Sequence, residues 1–249
     1  LNRLQEEFLL GLPVQLGMIC AMHFLREKFK ASPIYVRVAP FFVFVGLIAF
    51  GGFFGDSGPF WIYALRTFLG AYLLWEMRPF VPEMRWAIST EAVAIGVAVF
   101  IMWVGLDAYV PKNHIFFSPS PKDIAWNPFE HYGAGSTMGW FFVTVRLLGS
   151  TFVVAPMEEV FWRSFLYRYC VNTNFESLPL KLLHPTSLIV VSLLFGIEHY
   201  EWVQGFLCGL AYQWLVISKN RLGDAIAAHA ITNFLLGLWV VGRGAWNFW

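Results

Sequence analysis

Glu158-Glu159-Val160-Phe161-Trp162-Arg163 sets two adjacent carboxylates and an arginine inside a long, mostly apolar stretch, residues 138–170. Ionised groups are costly in a bilayer, and by default they mark a functional site there. The rest of the chain suits the same solvent: 58% of its 249 residues are hydrophobic and 13% charged, with a mean hydropathy of +0.59. These values are far from a soluble globular average. The expected fold class is all-α, a polytopic membrane protein of about eight transmembrane helices with a polar active site near mid-membrane. Candidate spans are 8–25, 38–55, 59–77, 87–110, 138–170, 186–200, 202–218 and 222–242. A single integral membrane domain over 1–249 is the simplest organisation, with the catalytic half at about 138–240.

The fifth span would extend roughly 50 Å as one straight helix, so a break or kink is predicted at Pro156. Arg26, Lys28 and Lys30, then Arg78 and Arg85, Lys181, and finally Lys219 and Arg221 follow spans one, three, five and seven. Under strict alternation these loops share one side, which the positive-inside rule makes cytoplasmic. The net charge is only +1 and no basic stripe is present, so no nucleic acid partner is expected. The expected surroundings are a lipid bilayer, and the expected partner is a membrane-associated protein or peptide. Cys20, Cys170 and Cys208 are odd in number and widely spaced, and read as small buried hydrophobes rather than a disulfide or zinc framework. The chain begins at Leu1 rather than a methionine, which suggests an upstream segment, and no signal-peptide pattern is visible.

Most intramembrane polar residues have a structural reading. Arg66, Glu91, Asp107 and Arg146 are expected to pair with one another, snorkel or sit near helix ends. Gln15, Gln204 and Gln213 are expected to hydrogen-bond between helices. Three further segments stand apart, because their polar residues recur at helical spacing in the most apolar part of the C-terminal half.

In the first, Glu159 and Arg163 are four apart on one helix face, with the acid N-terminal to the base. Glu158 lies about 140° around the helix from Arg163 and is the more available carboxylate. Desolvation favours its neutral form and the arginine favours its charged form, a balance suited to accepting and returning a proton. Taken alone, the segment reads equally as a salt-bridge cluster that orders the fold. The second, Phe195-Gly196-Ile197-Glu198-His199, ends an apolar helix with a histidine, which by itself reads as a packing residue. The third, His229-Ala230-Ile231-Thr232-Asn233, stacks an imidazole over a carboxamide one turn apart. That pair suits either an oxyanion, where one preorganised donor is worth about 3 kcal/mol, or a helix-to-helix hydrogen bond. Measured from the basic side, Glu158, His229 and Asn233 come to depths of roughly 12 to 20 Å and His199 to about 20 to 25 Å. They can converge if the 186–218 hairpin is short or tilted.

Together, Glu158-Glu159…Arg163, Phe195…His199 and His229…Asn233 resemble the E-E-x-x-x-R, F-x-x-x-H and H-x-x-x-N motifs of the CAAX-protease and bacteriocin-processing (CPBP, or Abi) family of intramembrane endopeptidases. The resemblance covers roughly 138–240, and the aromatic run 161–169 is similar to the branch found beside bacterial exosortase systems. It implies an eight-helix membrane fold in a bacterial or archaeal plasma membrane, with a cavity open to the cytoplasmic side. There, a peptide bond near the C-terminus of a lipidated, for instance prenylated, or otherwise membrane-bound substrate is hydrolysed. By the same resemblance Glu158 is the general base, His199 holds and polarises the water, His229 and Asn233 form the oxyanion hole, and Glu159 and Arg163 position Glu158.

No cofactor is expected. The alternative to a metal-free mechanism is a zinc ion on His199, His229 and a glutamate, although no H-E-x-x-H is present. Two other function classes compete with a protease: a catalytically silent immunity or partner-binding protein of the same fold, and a proton-coupled transporter. A silent relative should lack one of Glu158, His199 or His229, and a transporter should carry inverted repeats with broken helices in both halves. Oligomeric state is not legible from the sequence.

Overall fold

The computed structural model describes residues 20, 22–115 and 126–249. Nearly all of span 8–25, with Gln15, lies outside them. The described residues form helices and contain no strand. After a helical segment α1 (22–31), Ser32 caps α2 (Pro33–Gly46) by accepting the Tyr35 N–H, with Pro33 in the first turn. A 3-10 stretch, Leu47–Ser57, carries the chain to a reversal at Phe54 and Gly55, where Gly55 adopts φ +63°. α3 (Gly58–Met77) then returns alongside α2. Ser89 caps α4 (Thr90–Leu106), a short α5 (Pro128–Tyr132) follows, and Ser136 caps α6 (Thr137–Tyr169). His184 caps α7 (Pro185–Ile197), α8 (Trp202–Lys219) ends at Asn220 in the left-handed region, and α9 (Gly223–Arg243) ends at Gly244 in the same conformation.

Apolar helical stretches long enough to cross a bilayer are present at Pro33–Met77, which includes the reversal at Phe54 and Gly55, and at Thr137–Tyr169 and Gly223–Arg243, with shorter apolar helices at Thr90–Leu106 and Pro185–Ile197. The protein is an all-α polytopic integral membrane protein. Its outer surface suits lipid: Phe42, Leu65, Phe68, Ile101, Ile189 and Leu238 are exposed.

Pro156 does not break α6. Helix continues through it between two wide π turns, Ser150–Val154 and Val160–Leu166, and the Ala155 N–H reaches back five residues to the Ser150 carbonyl. The wider turn absorbs the proline ring and its missing N–H without a break. This correction matters for the site, because Glu158 and Glu159 lie in the single α-helical turn between the two π turns.

α7 has 13 residues and extends only about 20 Å, short of a bilayer core of about 30 Å. Its partner α8 packs along it so tightly that a Cβ on Gly196 would lie 2.6 Å from the Trp202 carbonyl oxygen. Asn113, in the segment after α4, seals the turn: its Nδ2 donates to the Ile197 carbonyl at 2.7 Å and its N–H to that of Tyr200 at 2.8 Å. The hairpin is therefore short, as the convergence of depths requires.

One end of the bundle gathers the basic loops. Lys219 pairs with Glu91 at 2.8 Å, Arg26 with Glu76, and Arg221 with Asp224, while the Lys181 N–H donates to Asn220 at 3.0 Å. Beneath that rim, Glu83 holds Arg37 at 2.7 Å and Arg168 at 3.3 Å and accepts the Ser164 hydroxyl, tying the loop before α4 to α2 and α6. Burial alone would raise the Glu83 carboxyl, but Arg37 and the Ser164 hydroxyl outweigh it and hold the group below its ordinary value.

Of the readings open for Arg66, Glu91, Asp107 and Arg146, the helix-end one holds for Glu91, in the first turn of α4, and Asp107, its C-cap, and the four do not pair with one another. Arg66 stacks on Phe44 and Tyr63, Arg146 lies over Tyr63, Trp126 and Trp249, Glu91 takes Lys219, and Asp107 takes Lys112. Aromatic faces substitute for carboxylates here because the sequence supplies many rings at that depth. Gln204 and Gln213 are buried, but their amides have no hydrogen-bond partner among the described residues. Cys208 is buried as expected, whereas Cys20 and Cys170 are exposed, Cys170 in the turn that follows α6.

Candidate active site

Three helices bring the singled-out residues together. α6 supplies Glu158, Glu159 and Arg163, the end of α7 supplies His199, and α9 supplies His229 and Asn233. α9 approaches closely because Gly96 of α4 leaves room for it: a Cβ there would lie 2.7 Å from the Ala228 carbonyl oxygen.

Glu159 is the fixed point. Its side chain is fully buried, and one oxygen, Oε1, lies 3.3 Å from Arg163 Nη1 and 2.9 Å from His229 Nδ1. The i,i+4 pair read from the sequence is present, and it extends to a histidine 70 residues away. Arg163 also lies 4.1 Å from the Phe195 ring centroid, so the guanidinium is held by a carboxylate and an aromatic face. Tyr212 of α8 stacks on the His229 ring with centroids 5.1 Å apart, and its hydroxyl donates to Thr232 at 2.7 Å. These contacts fix the imidazole plane.

Glu158 is differently placed. Its side chain retains 16% exposure, and its Oε2 lies 3.9 Å from His229 Nε2, beyond hydrogen-bond range. That oxygen has no hydrogen-bond partner. His199 carries its proton on Nδ1, which donates to the Phe195 carbonyl at 2.8 Å, so Nε2 is the acceptor. Ligand atoms of Glu158, Glu198 and His199 all lie within 4.8 Å of one another. Asn233 points elsewhere with one of its two N–H bonds: Nδ2 donates to the Ser150 carbonyl in the first π turn at 2.9 Å.

The zinc set considered from the sequence, His199 with His229 and a glutamate, is not the one that converges. Among the described residues the group that could hold a metal ion is Glu158, Glu198 and His199, while His229 Nδ1 is taken by Glu159. Tetrahedral ligands at about 2.0 to 2.2 Å from zinc lie roughly 3.4 Å apart, and ligand atoms of these three residues all lie within 4.8 Å of one another.

Two contributors were missed in the sequence. Glu198 adjoins His199 and is itself a charge at the end of an apolar helix, the same signal that marked Glu158. Tyr212 carried no signal, since an aromatic in an apolar helix is ordinary. A cavity of about 960 Å³ opens beside the site between α3, the following loop and α6, lined among others by Trp75, Arg78, Arg85, Trp86, Phe152 and Pro156. Glu158 does not itself line it; Pro156, two residues before, does.

Residues 136–235 match the family model "Type II CAAX prenyl endopeptidase Rce1-like". A search of curated proteins and a search of solved structures each found no match. The matched segment holds all seven residues of the three motifs, and the family is one of proteases that act within membranes. Residues 136–235 of this chain are therefore similar to Rce1-like type II CAAX prenyl endopeptidases, which supports a CAAX-protease (CPBP) family reading of that segment.

Proposed function

We propose that the protein is an intramembrane endopeptidase that cleaves a peptide bond near the C-terminus of a membrane-associated, lipidated or strongly apolar protein, using a water activated by Glu158. The observation that carries this reading is the placement of Glu158 and a ring nitrogen of His199 within 4.8 Å of each other, with His229 Nε2 3.9 Å from Glu158 Oε2. A water between Glu158 and His199 can give one hydrogen bond to each, which aims its lone pair at a carbonyl carbon. Glu158 then takes the proton as the C–O bond forms.

His229 and Asn233 receive the developing oxyanion. Glu159 accepts from Nδ1, so a protonated His229 presents Nε2–H, and Asn233 has a second N–H beyond the one given to Ser150. Glu159 and Arg163 support His229 directly and Glu158 through the shared turn of α6. The apolar part of the substrate lies in the cavity lined by Trp75, Trp86 and Phe152, which opens at the end carrying the basic loops. That end is the cytoplasmic one in this reading.

The deciding experiment uses the purified protein and a quenched peptide with a lipidated C-terminal segment. Glu158→Gln and His199→Ala should each lose about 10²-fold or more in kcat, the usual scale for a general base. Parent-like cleavage by both variants would sink the mechanism.

A further inference from the structure

Glu198 has no role in the mechanism so far, yet its position is unusual. It caps the C-terminus of α7 one residue before His199, at the mid-depth turn of the hairpin, and its Oε1 is buried with no hydrogen-bond partner. No cation lies within ion-pair distance of it among the described residues, and Arg163, the nearby guanidinium, is engaged with Glu159. Its carboxylate lies within 4.8 Å of both the Glu158 carboxylate and a ring nitrogen of His199. Two carboxylates this close and away from bulk water repel each other when both are ionised, and one shared proton relieves that repulsion.

Amide hydrolysis needs such a proton. Water gives one hydrogen to the base, but the amine leaves only if its nitrogen gains a proton, because an amide anion is too poor a leaving group. Once protonated, Glu158 can return its proton to the nitrogen, but it must first take one from water; Glu198 offers a second carboxyl within 4.8 Å that can carry a proton before the water is activated.

We infer that Glu198 is a further catalytic residue, the general acid that protonates the leaving nitrogen while Glu158 acts as base. This rests on the endopeptidase reading above. In the step, the water O–H bond breaks with its proton passing to Glu158, the C–O bond forms, the C–N bond breaks, and the Glu198 proton forms the new N–H bond. One acid and one amine result, with Glu158 protonated and Glu198 ionised. Transfer of the proton from Glu158 back to Glu198 through a water restores the starting pair.

The leaving group separates this role from a structural one. The purified protein is assayed with the quenched lipidated peptide and with a hydroxycoumarin ester of the same acyl segment, whose phenolate departs without a proton. Glu198→Gln should slow peptide cleavage about 10² to 10³-fold and ester cleavage less than about tenfold. Glu198→Asp, which keeps an acid, should bring the peptide-to-ester ratio back toward the parent value. Equal loss on both substrates, no loss on either, or a ratio for Glu198→Asp no better than for Glu198→Gln overturns the assignment. Glu158→Gln should lose both activities alike, and if it retains them, the base assignment fails whatever Glu198 does.

Discussion

His229 Nδ1 lies 2.9 Å from Glu159 Oε1, and the same oxygen lies 3.3 Å from Arg163. One buried carboxylate thus sets the tautomer of the histidine on α9 and neutralises the arginine on its own helix. Glu159→Gln should remove both effects. Leaving Arg163 without its carboxylate should cost about 3 to 5 kcal/mol of stability, seen as a lower midpoint of thermal unfolding in detergent. An unchanged midpoint would mean that the Phe195 face alone suffices for the guanidinium.

Asn233 is tested apart from folding. Asn233→Ala should lower kcat about 10² to 10³-fold with little change in KM, as expected for a donor that acts on the transition state. A rise in KM with kcat preserved would place Asn233 in substrate binding instead.

The Glu83 cluster makes stability depend on pH. Its carboxyl is held below the ordinary value of 4.5, so its contribution is fully present above that pH and is lost as pH falls through the depressed value. Thermal unfolding between pH 7 and pH 3 should show an acid-side decline that is shallower in Glu83→Gln, whose stability at pH 7 is already reduced. The same slope in variant and parent would remove Glu83 from the account.

Metal dependence has a direct measurement. With no H-E-x-x-H motif and His229 Nδ1 taken by Glu159, the glutamate mechanism expects that a chelator leaves peptide cleavage unchanged and that purified protein carries less than stoichiometric zinc. Tightly bound zinc, removed together with activity, would reassign Glu158, Glu198 and His199 as ligands.

The cavity beside Pro156 predicts a selective effect. Trp75→Ala and Trp86→Ala should raise KM for the lipidated peptide and leave the ester of a short, unlipidated acyl segment nearly unaffected. Equal effects on both would place the tryptophans in folding rather than recognition.

Much of this was legible because membrane sequences state their constraints locally. Apolar length alone places α3, α6 and α9, and four-residue spacing alone pairs Glu159 with Arg163. What joins distant helices was not legible. Nothing in the order of residues says that Glu159 reaches His229, that Asn233 reaches Ser150, or that Asn113 closes the turn after Ile197. Those contacts depend on where Gly96 and Gly196 let backbones approach. Pro156 was legible in part: the local rule predicts a break or kink, and the helix answers with two π turns rather than a break. Glu198 was visible as a charge but not as a neighbour of Glu158, a relation that exists only once α7 turns at mid-depth.

A π turn amounts to one additional residue inserted in a helix. The direction in which Glu158 and Glu159 face relative to the start of α6 is thus set by chain length as well as by side-chain chemistry. Removing a single residue from 150–154 would rewind that turn to α-helical pitch and rotate everything after it by about 100°. Both carboxylates would swing away from α7 and α9 while every residue of the three motifs remained in the sequence.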